Sequence, residues 1–118
     1  VVDSRANSVF FDTGVTTEYG EDAAAAIRYF GKRDRIGTAH FRNVKVIEPH
    51  YQYMETFVDG GDCDIVDCMR AFAEVGYEGG IDPDHTPGLI GDGAQSSIGW
   101  AYAIGQLRAL RSATTSLL

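Results

Sequence analysis

The sequence lacks any long apolar run. Its longest uncharged stretch, near the C-terminus, is interrupted by Gly, Ser and Gln, and no segment approaches the roughly 18 consecutive apolar residues of a membrane-spanning helix. We therefore expect no membrane partner. The opening VVDSRANS has neither a basic start nor an apolar signal core, and Val1 is not an initiator Met, so we expect upstream sequence to be missing.

Basic residues are few and scattered. The chain has 10 Lys and Arg residues against 17 Asp and Glu residues, which gives a net charge of −7. Nucleic-acid binding requires positive charge clustered on one surface, and the sequence contains no such cluster. We therefore expect no nucleic-acid partner.

Cysteine is also scarce. Cys63 and Cys68 form neither a CxxC motif nor a metal knuckle, and their separation by five positions on a predicted helix places the two side chains far apart around its circumference. We interpret them as reduced structural thiols, which indicates a cytoplasmic protein.

Several glycine-dependent and serine-dependent motifs are missing. No GxGxxG joins a strand to a helix and no GK[ST] occurs, so dinucleotide sites of the usual kind and P-loops are disfavoured. No GxSxG supports a serine nucleophile, and Ser96 and Ser97 are interpreted as the cap of the last helix.

The sequence does contain a regular alternation of strand and helix signals. Short strands are predicted at residues 8–11, 36–41 and 78–82, and each precedes a helical segment. This order predicts a parallel sheet covered by helices, or a barrel. The segment 45–61 is too long for an ordinary connection, and such long loops often carry functional residues.

The three helices have recognisable ends. The first is predicted from about Asp22, with Gly31 just past its end, and the second has Asp62 as its N-cap and Gly76 as its stop. The third has apolar residues at helical spacing, namely Trp100, Ala103, Ile104, Leu107 and Leu110.

Groups that bind cations or move protons follow each predicted strand. Asp12 follows the first, His40 ends the second, and Asp84 and His85 follow the third. The carboxyl ends of parallel strands lie on one rim, so these residues can converge. Imidazole with carboxylates suits a divalent ion such as Mn²⁺, Fe²⁺ or Zn²⁺.

Taken singly, each residue also has a structural explanation. Asp12 can form a turn, His40 can be a satisfied histidine at a strand end, and Asp84 can cap the next turn. Arg42 and Asn43 can hydrogen-bond neighbouring loops. The recurrence at three successive strand ends favours the functional interpretation.

Longer stretches carry a family resemblance. The runs IRYFGKRDRIGTAHFRNV, ETFVDGGDCDIVDCMRAFAEVGYEGGIDPDH and AYAIGQLRAL resemble the C-terminal part of mannonate dehydratases, from about Asn7 onward. The most specific pieces are HFRNV, FVDGGD to MRAF, and PDH in this order. The resemblance implies an α/β fold made of the C-terminal three βα units of a xylose-isomerase-like (β/α)8 TIM barrel, with residues 1–118 forming part of a single domain.

The resemblance also implies a reaction. Mannonate dehydratases are metal-dependent lyases of sugar-acid catabolism, including glucuronate catabolism, that convert D-mannonate to 2-keto-3-deoxy-D-gluconate. His40 and Asp84 correspond to metal ligands and His85 to a proton-transfer residue. Arg42 and Asn43 would be substrate-facing or supporting groups. The implied partner is a small-molecule sugar acid, and homo-oligomerisation of the full-length protein is left open.

The sequence departs from the family pattern at two positions. Asp12 stands where the family has a ligating cysteine, and a carboxylate in that place makes a harder site, more suited to Mn²⁺ or Mg²⁺. The expected cofactor is Mn²⁺ or Fe²⁺, with Mg²⁺ a further candidate. Gln95 falls near the position of a family tyrosine and cannot act as an acid, while Tyr102 is interpreted as packing. A sugar isomerase or epimerase on the same barrel, or a non-catalytic remnant, is therefore kept as an alternative.

Length sets a further expectation. A complete (β/α)8 barrel needs about 250 residues, so 118 residues supply about three units. A further histidine ligand from an earlier strand is expected outside this sequence. The fragment alone is predicted to be inactive and poorly stable.

Overall fold

The computed structural model describes residues 2–116. Its elements in chain order are β1 (Val9–Asp12), α1 (Thr13–Glu18), α2 (Ala23–Gly31), β2 (Ile36–His40), β3 (Asn43–Glu48), β4 (Gln52–Thr56), α3 (Ile65–Glu74), β5 (Ile81–Asp82) and α4 (Ser97–Thr115). No helix within residues 2–116 is long and apolar enough to cross a membrane.

The central sheet is parallel, as the alternation of strands and helices predicts. β2 lies between β1 and β5, and its register aligns Asp12 with His40 and His40 with Asp82. The three strands therefore end at one level. Helices α2, α3 and α4 pack beside this sheet, and α3 lies between α2 and α4 and contacts both. The third strand is shorter than predicted, because only Ile81 and Asp82 pair with β2.

A hydrophobic core joins the sheet to the helices. It is built from Phe11 and Ala39 of the strands, Phe41, and apolar side chains of the three longer helices, chiefly Ile27, Met69, Phe72, Ala103 and Leu107. The helical spacing of these residues explains why sequence periodicity locates α2, α3 and α4.

Three elements, α1, β3 and β4, were not predicted. The residues after β1 form the short helix α1, and most of the segment 45–61 belongs to the antiparallel hairpin β3–β4. The strand predicted at residues 36–41 is one residue too long: β2 ends at His40, and Asn43 of the HFRNV stretch already belongs to β3. The polar residues of HFRNV therefore lie where the chain passes from the parallel sheet to the antiparallel hairpin.

The predicted ends of α2 and α3 also need correction. Gly31 is the last residue of α2 and Lys32 is its C-cap. Helix α3 is capped by Asp64, whose carboxylate accepts from the Asp67 N–H. Asp62 instead fastens the hairpin, because it accepts from the Val46 N–H at 2.8 Å and pairs with Lys45. The hydrogen bond from Lys45 lowers the pKa of Asp62.

The cap of α4 and the positions of the two cysteines also differ from prediction. Ser96 occupies the N-cap position without a side-chain hydrogen bond, and Asp92 accepts from the N–H groups of Ile98 and Gly99. Cys63 precedes α3 instead of lying on it, so its Sγ lies 3.5 Å from that of Cys68. Both thiols are free and buried.

Candidate metal centre

Three predicted ligands meet at the carboxyl ends of the parallel strands. Asp12, His40 and Asp84 each offer one ligand atom, and these atoms lie within 4.8 Å of one another. All three side chains are partly buried. The parallel register of the strands produces this convergence across 72 positions of sequence, since Asp12 pairs with His40 and His40 with Asp82.

The two carboxylate oxygens of Asp12 make different contacts. Its Oδ1 accepts from the Val15 N–H at 2.8 Å and so caps α1, whereas its Oδ2 faces the cluster and accepts from Arg42 Nε at 3.1 Å. The turn-forming interpretation and the site interpretation of Asp12 are therefore compatible, because each uses a different oxygen.

His40 presents both ring nitrogens to carboxylates. Its Nδ1 lies 3.3 Å from Asp84 Oδ2 and 3.8 Å from Asp12 Oδ2, while its Nε2 lies 3.6 Å from Asp82 Oδ1. The ring of Phe10 packs edge-on against it at 4.2 Å between centroids. These contacts fix the ring so that Nδ1 faces the two other members of the cluster.

Asp84 is held in a left-handed backbone conformation. Its φ is 62°, which Asp tolerates better than most residues, and its N–H donates to Asp82 Oδ1 at 2.8 Å. The preceding Pro83 is buried. Such conformations cost about 1–3 kcal/mol and concentrate at functional sites.

Arg42 is the buried cation behind the cluster. Its three nitrogens reach three carboxylates: Nε to Asp12 at 3.1 Å, Nη2 to Glu18 at 2.8 Å and Nη1 to Glu55 at 3.2 Å. Burial works to lower the pKa of Arg42, but Glu18 and Asp12 outweigh it and raise that pKa. Every nitrogen of Arg42 therefore faces a carboxylate, and both roles expected for Arg42, contact with substrate or support of the site, stay predictions.

Both polar atoms of the Asn43 side chain form hydrogen bonds with backbone groups. Its Nδ2 donates to the carbonyls of Val58 and Cys63, and its Oδ1 accepts from the N–H groups of Val44 and Cys63. Only 1% of the residue is exposed. Asn43 therefore ties β3 to the segment before α3, and its expected contact with substrate stays a prediction.

His85 lies at the exposed side of the cluster. Its Nε2 is 3.2 Å from Asp84 Oδ2 and its Nδ1 is 3.4 Å from Glu55 Oε2, with about half of the side chain exposed. Burial raises the pKa of Glu55, opposed by the charges of Arg42 and His85. Sequence reasoning missed Glu55, although the alternating pattern of NVKVIE could have indicated a hairpin strand beside it.

Gln95 and Tyr102 lie in the last segment of the chain. Gln95 is exposed in the loop before α4. The Tyr102 hydroxyl donates to Asp59 at 3.0 Å, its ring packs on Phe57, and the bond to Asp59 raises its pKa.

The charges around the cluster fit a divalent cation. Five carboxylates contact the two histidines or Arg42, namely Asp12, Glu18, Glu55, Asp82 and Asp84, and the one guanidinium among them is that of Arg42. The excess of negative charge, two carboxylate oxygens and an imidazole nitrogen suit Mn²⁺, Fe²⁺ or Mg²⁺ better than a soft ion.

Comparison with known proteins identifies the family. The model of the family D-mannonate dehydratase (UxuA) matches residues 1–117. This chain belongs to the D-mannonate dehydratase family. Among its relatives, the mannonate dehydratase of Enterococcus faecalis is 41% identical over 88 residues, which cover 72% of this chain and 24% of that protein. The mannonate dehydratase of Thermotoga maritima is 38% identical over 101 residues, or 83% of this chain and 28% of that protein.

Solved structures confirm the predicted fold. Mannonate dehydratase from Streptococcus suis serotype 2 superposes with a TM-score of 0.76 and 25% identity, covering 95% of this chain and 35% of that one. A xylose isomerase domain protein from Planctomyces limnophilus superposes with a TM-score of 0.70 and 19% sequence identity. This match covers 92% of this chain and 39% of that one. The chain is thus an α/β portion of a xylose-isomerase-like TIM barrel and spans about a quarter of the length of these curated relatives.

Proposed function

We propose that the full-length protein carrying this chain removes water from D-mannonate to give 2-keto-3-deoxy-D-gluconate. The observation that carries this proposal is the convergence of Asp12, His40 and Asp84 within 4.8 Å in a chain of the D-mannonate dehydratase family. Under this proposal the three side chains hold a divalent ion, Mn²⁺ or Fe²⁺ first and Mg²⁺ as a further candidate.

The residues of this chain would divide the work. A divalent ion held by Asp12, His40 and Asp84 would supply Lewis acidity, which would make the proton beside the carboxylate of a sugar acid more acidic. Arg42 keeps the Asp12 carboxylate oriented toward the cluster. The half-exposed His85 beside Asp84 is the group that we propose moves a proton between the substrate and the site.

Cellular context follows from the same proposal. We infer a cytoplasmic enzyme of sugar-acid catabolism acting on a small molecule, and the two free buried thiols support a reducing compartment. Nothing in the acidic charge balance favours a nucleic-acid partner.

Product analysis tests the proposed reaction. The full-length protein with Mn²⁺ and D-mannonate should yield a 2-keto-3-deoxy acid, detected by mass spectrometry as loss of one water. Asp84→Asn should lower kcat/KM by more than about 100-fold, because it removes a charged ligand.

Asp34→Asn is the control for Asp84→Asn, because it makes the same substitution at another aspartate with a left-handed backbone. Asp34 is also an aspartate with positive φ and lies in the turn before β2, where it pairs with Arg5. Asp34→Asn should leave the rate within about twofold, as expected for an exposed ion pair. Conversion of D-mannonate with conserved mass would support a sugar isomerase or epimerase, and no conversion with no metal binding would support a non-catalytic remnant.

A further inference from the structure

The hairpin strand β4 brings a carboxylate to the edge of the cluster. Glu55 Oε2 lies 3.2 Å from Arg42 Nη1 and 3.4 Å from His85 Nδ1, so it bridges the buried cation and the exposed histidine. The side chain is about one-fifth exposed. The segment 45–61 thus contributes the carboxylate beside His85 Nδ1, whereas Asp84, which follows the parallel strand β5, lies beside Nε2.

Only one oxygen of this carboxylate has a hydrogen-bond partner among the described residues. Its other oxygen, Oε1, is buried and has no hydrogen-bond partner among residues 2–116. An unpartnered oxygen on a charged group destabilises the folded state, and native structures contain few of them. Among the described residues, the charged partners of Glu55 are therefore Arg42 and His85, both reached through Oε2.

The His85 ring lies between two carboxylates. Asp84 faces Nε2 at 3.2 Å and Glu55 faces Nδ1 at 3.4 Å, and the ring is otherwise half-exposed. A histidine with a carboxylate at one ring nitrogen is fixed in orientation and tautomer, as in many sites where the other nitrogen acts. Asp84 belongs to the candidate metal cluster, so Glu55 is the contact available for orientation alone.

We propose that Glu55 is a positioning residue that orients the His85 imidazole, with Arg42 fixing Glu55 from behind. The proposal rests on the proposed function, in which His85 transfers a proton. Glu55 contacts no reacting atom in this account and acts through His85.

Glu18 offers a matched control. Like Glu55 it pairs with Arg42, at 2.8 Å, and its side chain is similarly buried, 16% exposed against 22%. Glu18 makes the contact with Arg42 without the contact with His85. A difference between Glu55→Gln and Glu18→Gln therefore isolates the contact with His85 from the loss of one negative charge beside Arg42.

Steady-state kinetics of the full-length protein with Mn²⁺ and D-mannonate test the proposal. Glu55→Gln should lower kcat by about 10- to 100-fold with KM and the Mn²⁺ dissociation constant within about threefold, and Glu18→Gln should lower kcat by less than about threefold. In a His85→Gln background, Glu55→Gln should produce no further loss. Equal effects of the two glutamine variants, or a full further loss in the His85→Gln background, would overturn the proposal.

A second readout does not depend on turnover. In the metal-free, ¹⁵N-histidine-labelled protein, with His85 assigned through His85→Gln, the ring nitrogen shifts of His85 should move in Glu55→Gln and stay in Glu18→Gln. Unmoved shifts in both would overturn the orienting role. A wild type without dehydratase activity but with these shifts moved would refute the proposed function and leave the orienting role standing. Glu55→Asp replaces Glu55→Gln with the same outcomes if the latter does not fold.

Discussion

At the scale of single residues, the site depends on one buried guanidinium and the space around it. Arg42 is 5% exposed and its nitrogens pair with three acidic side chains. The absence of a side chain at Gly14 leaves room for the Arg42 guanidinium, since a Cβ at Gly14 would lie 2.6 Å from Arg42 Nη1. Asp12, His40 and Asp84 could be proposed from sequence because each lies at or just after the end of a predicted strand. The contacts of Glu55 could not, because they depend on the path of a hairpin.

Removing the buried cation should destabilise the protein. Arg42→Met leaves Asp12, Glu18 and Glu55 without their counter-charge, and we expect a loss of about 3 kcal/mol in the free energy of unfolding. Urea unfolding of the full-length protein measures it. The double variant Arg42→Met/Glu18→Gln should lose less than Arg42→Met alone, because one unpaired carboxylate is gone. A larger loss in the double variant would contradict this account of Arg42.

Filling the space at Gly14 should displace the guanidinium. Gly14→Ala is expected to weaken Mn²⁺ binding by about tenfold, because Arg42 can no longer hold Asp12 in place. Gly105→Ala is the control, since a Cβ at Gly105 in α4 meets nothing within 4 Å and should raise helix stability by up to about 1 kcal/mol. Calorimetric titration compares the two, and unchanged affinity in Gly14→Ala would count against the role of Arg42.

At the scale of elements, the sequence predicts what periodicity and capping encode. Helices α2, α3 and α4 follow from apolar spacing, but α1 does not, because TGVTTE is rich in poor helix formers. One tertiary and one local hydrogen bond stabilise α1: Thr13 Oγ1 donates to the Arg42 carbonyl at 2.6 Å, and the adjacent Asp12 caps the first turn of the helix. The hairpin was missed for a similar reason, since its turn contains His50 at φ 69° where glycine or asparagine is usual.

An ion pair between α2 and α3 should make stability depend on pH. Asp67 accepts from two Arg28 nitrogens at 2.8 and 3.0 Å, and this hydrogen bonding holds the pKa of Asp67 below its ordinary value. A depressed pKa gives stabilisation that is complete above the unfolded-state pKa, about 3.9, and is lost as pH falls through the lower folded-state value.

The test is Asp67→Asn in the full-length protein. It should cost about 0.5–1 kcal/mol of unfolding free energy at pH 7, and the difference from wild type should shrink below about pH 4. Glu21→Gln changes an exposed acid without an ion-pair partner among residues 2–116 and should show no such trend. A difference between wild type and Asp67→Asn that stays constant down to the acid transition would refute the assignment.

At the scale of the whole molecule, the chain presents surfaces that a longer protein would cover. Within residues 2–116, β1 and β5 each pair with β2 alone. A cavity of about 370 Å³ lies beside β5 and is lined by apolar side chains that include Ile81, Trp100 and Ile104. The relatives are about three times as long as this chain, and the remainder of a barrel would pair these strand edges and cover the cavity.

Separating this chain from the remainder should abolish function. The isolated 118-residue polypeptide is expected to associate or aggregate and to show no dehydratase activity, because its sheet edges and apolar cavity are uncovered. Light scattering and product analysis, with the full-length protein in parallel, measure both properties. Activity of the isolated chain that disappears in His40→Ala would prove this expectation wrong.

The metal position is the most direct test of the central claim. Crystals of the full-length protein grown with Mn²⁺ and measured for anomalous scattering should show a peak within about 2.5 Å of one oxygen of Asp12, Nδ1 of His40 and one oxygen of Asp84. A peak bound by other residues, or none at the carboxyl ends of β1, β2 and β5, would contradict it.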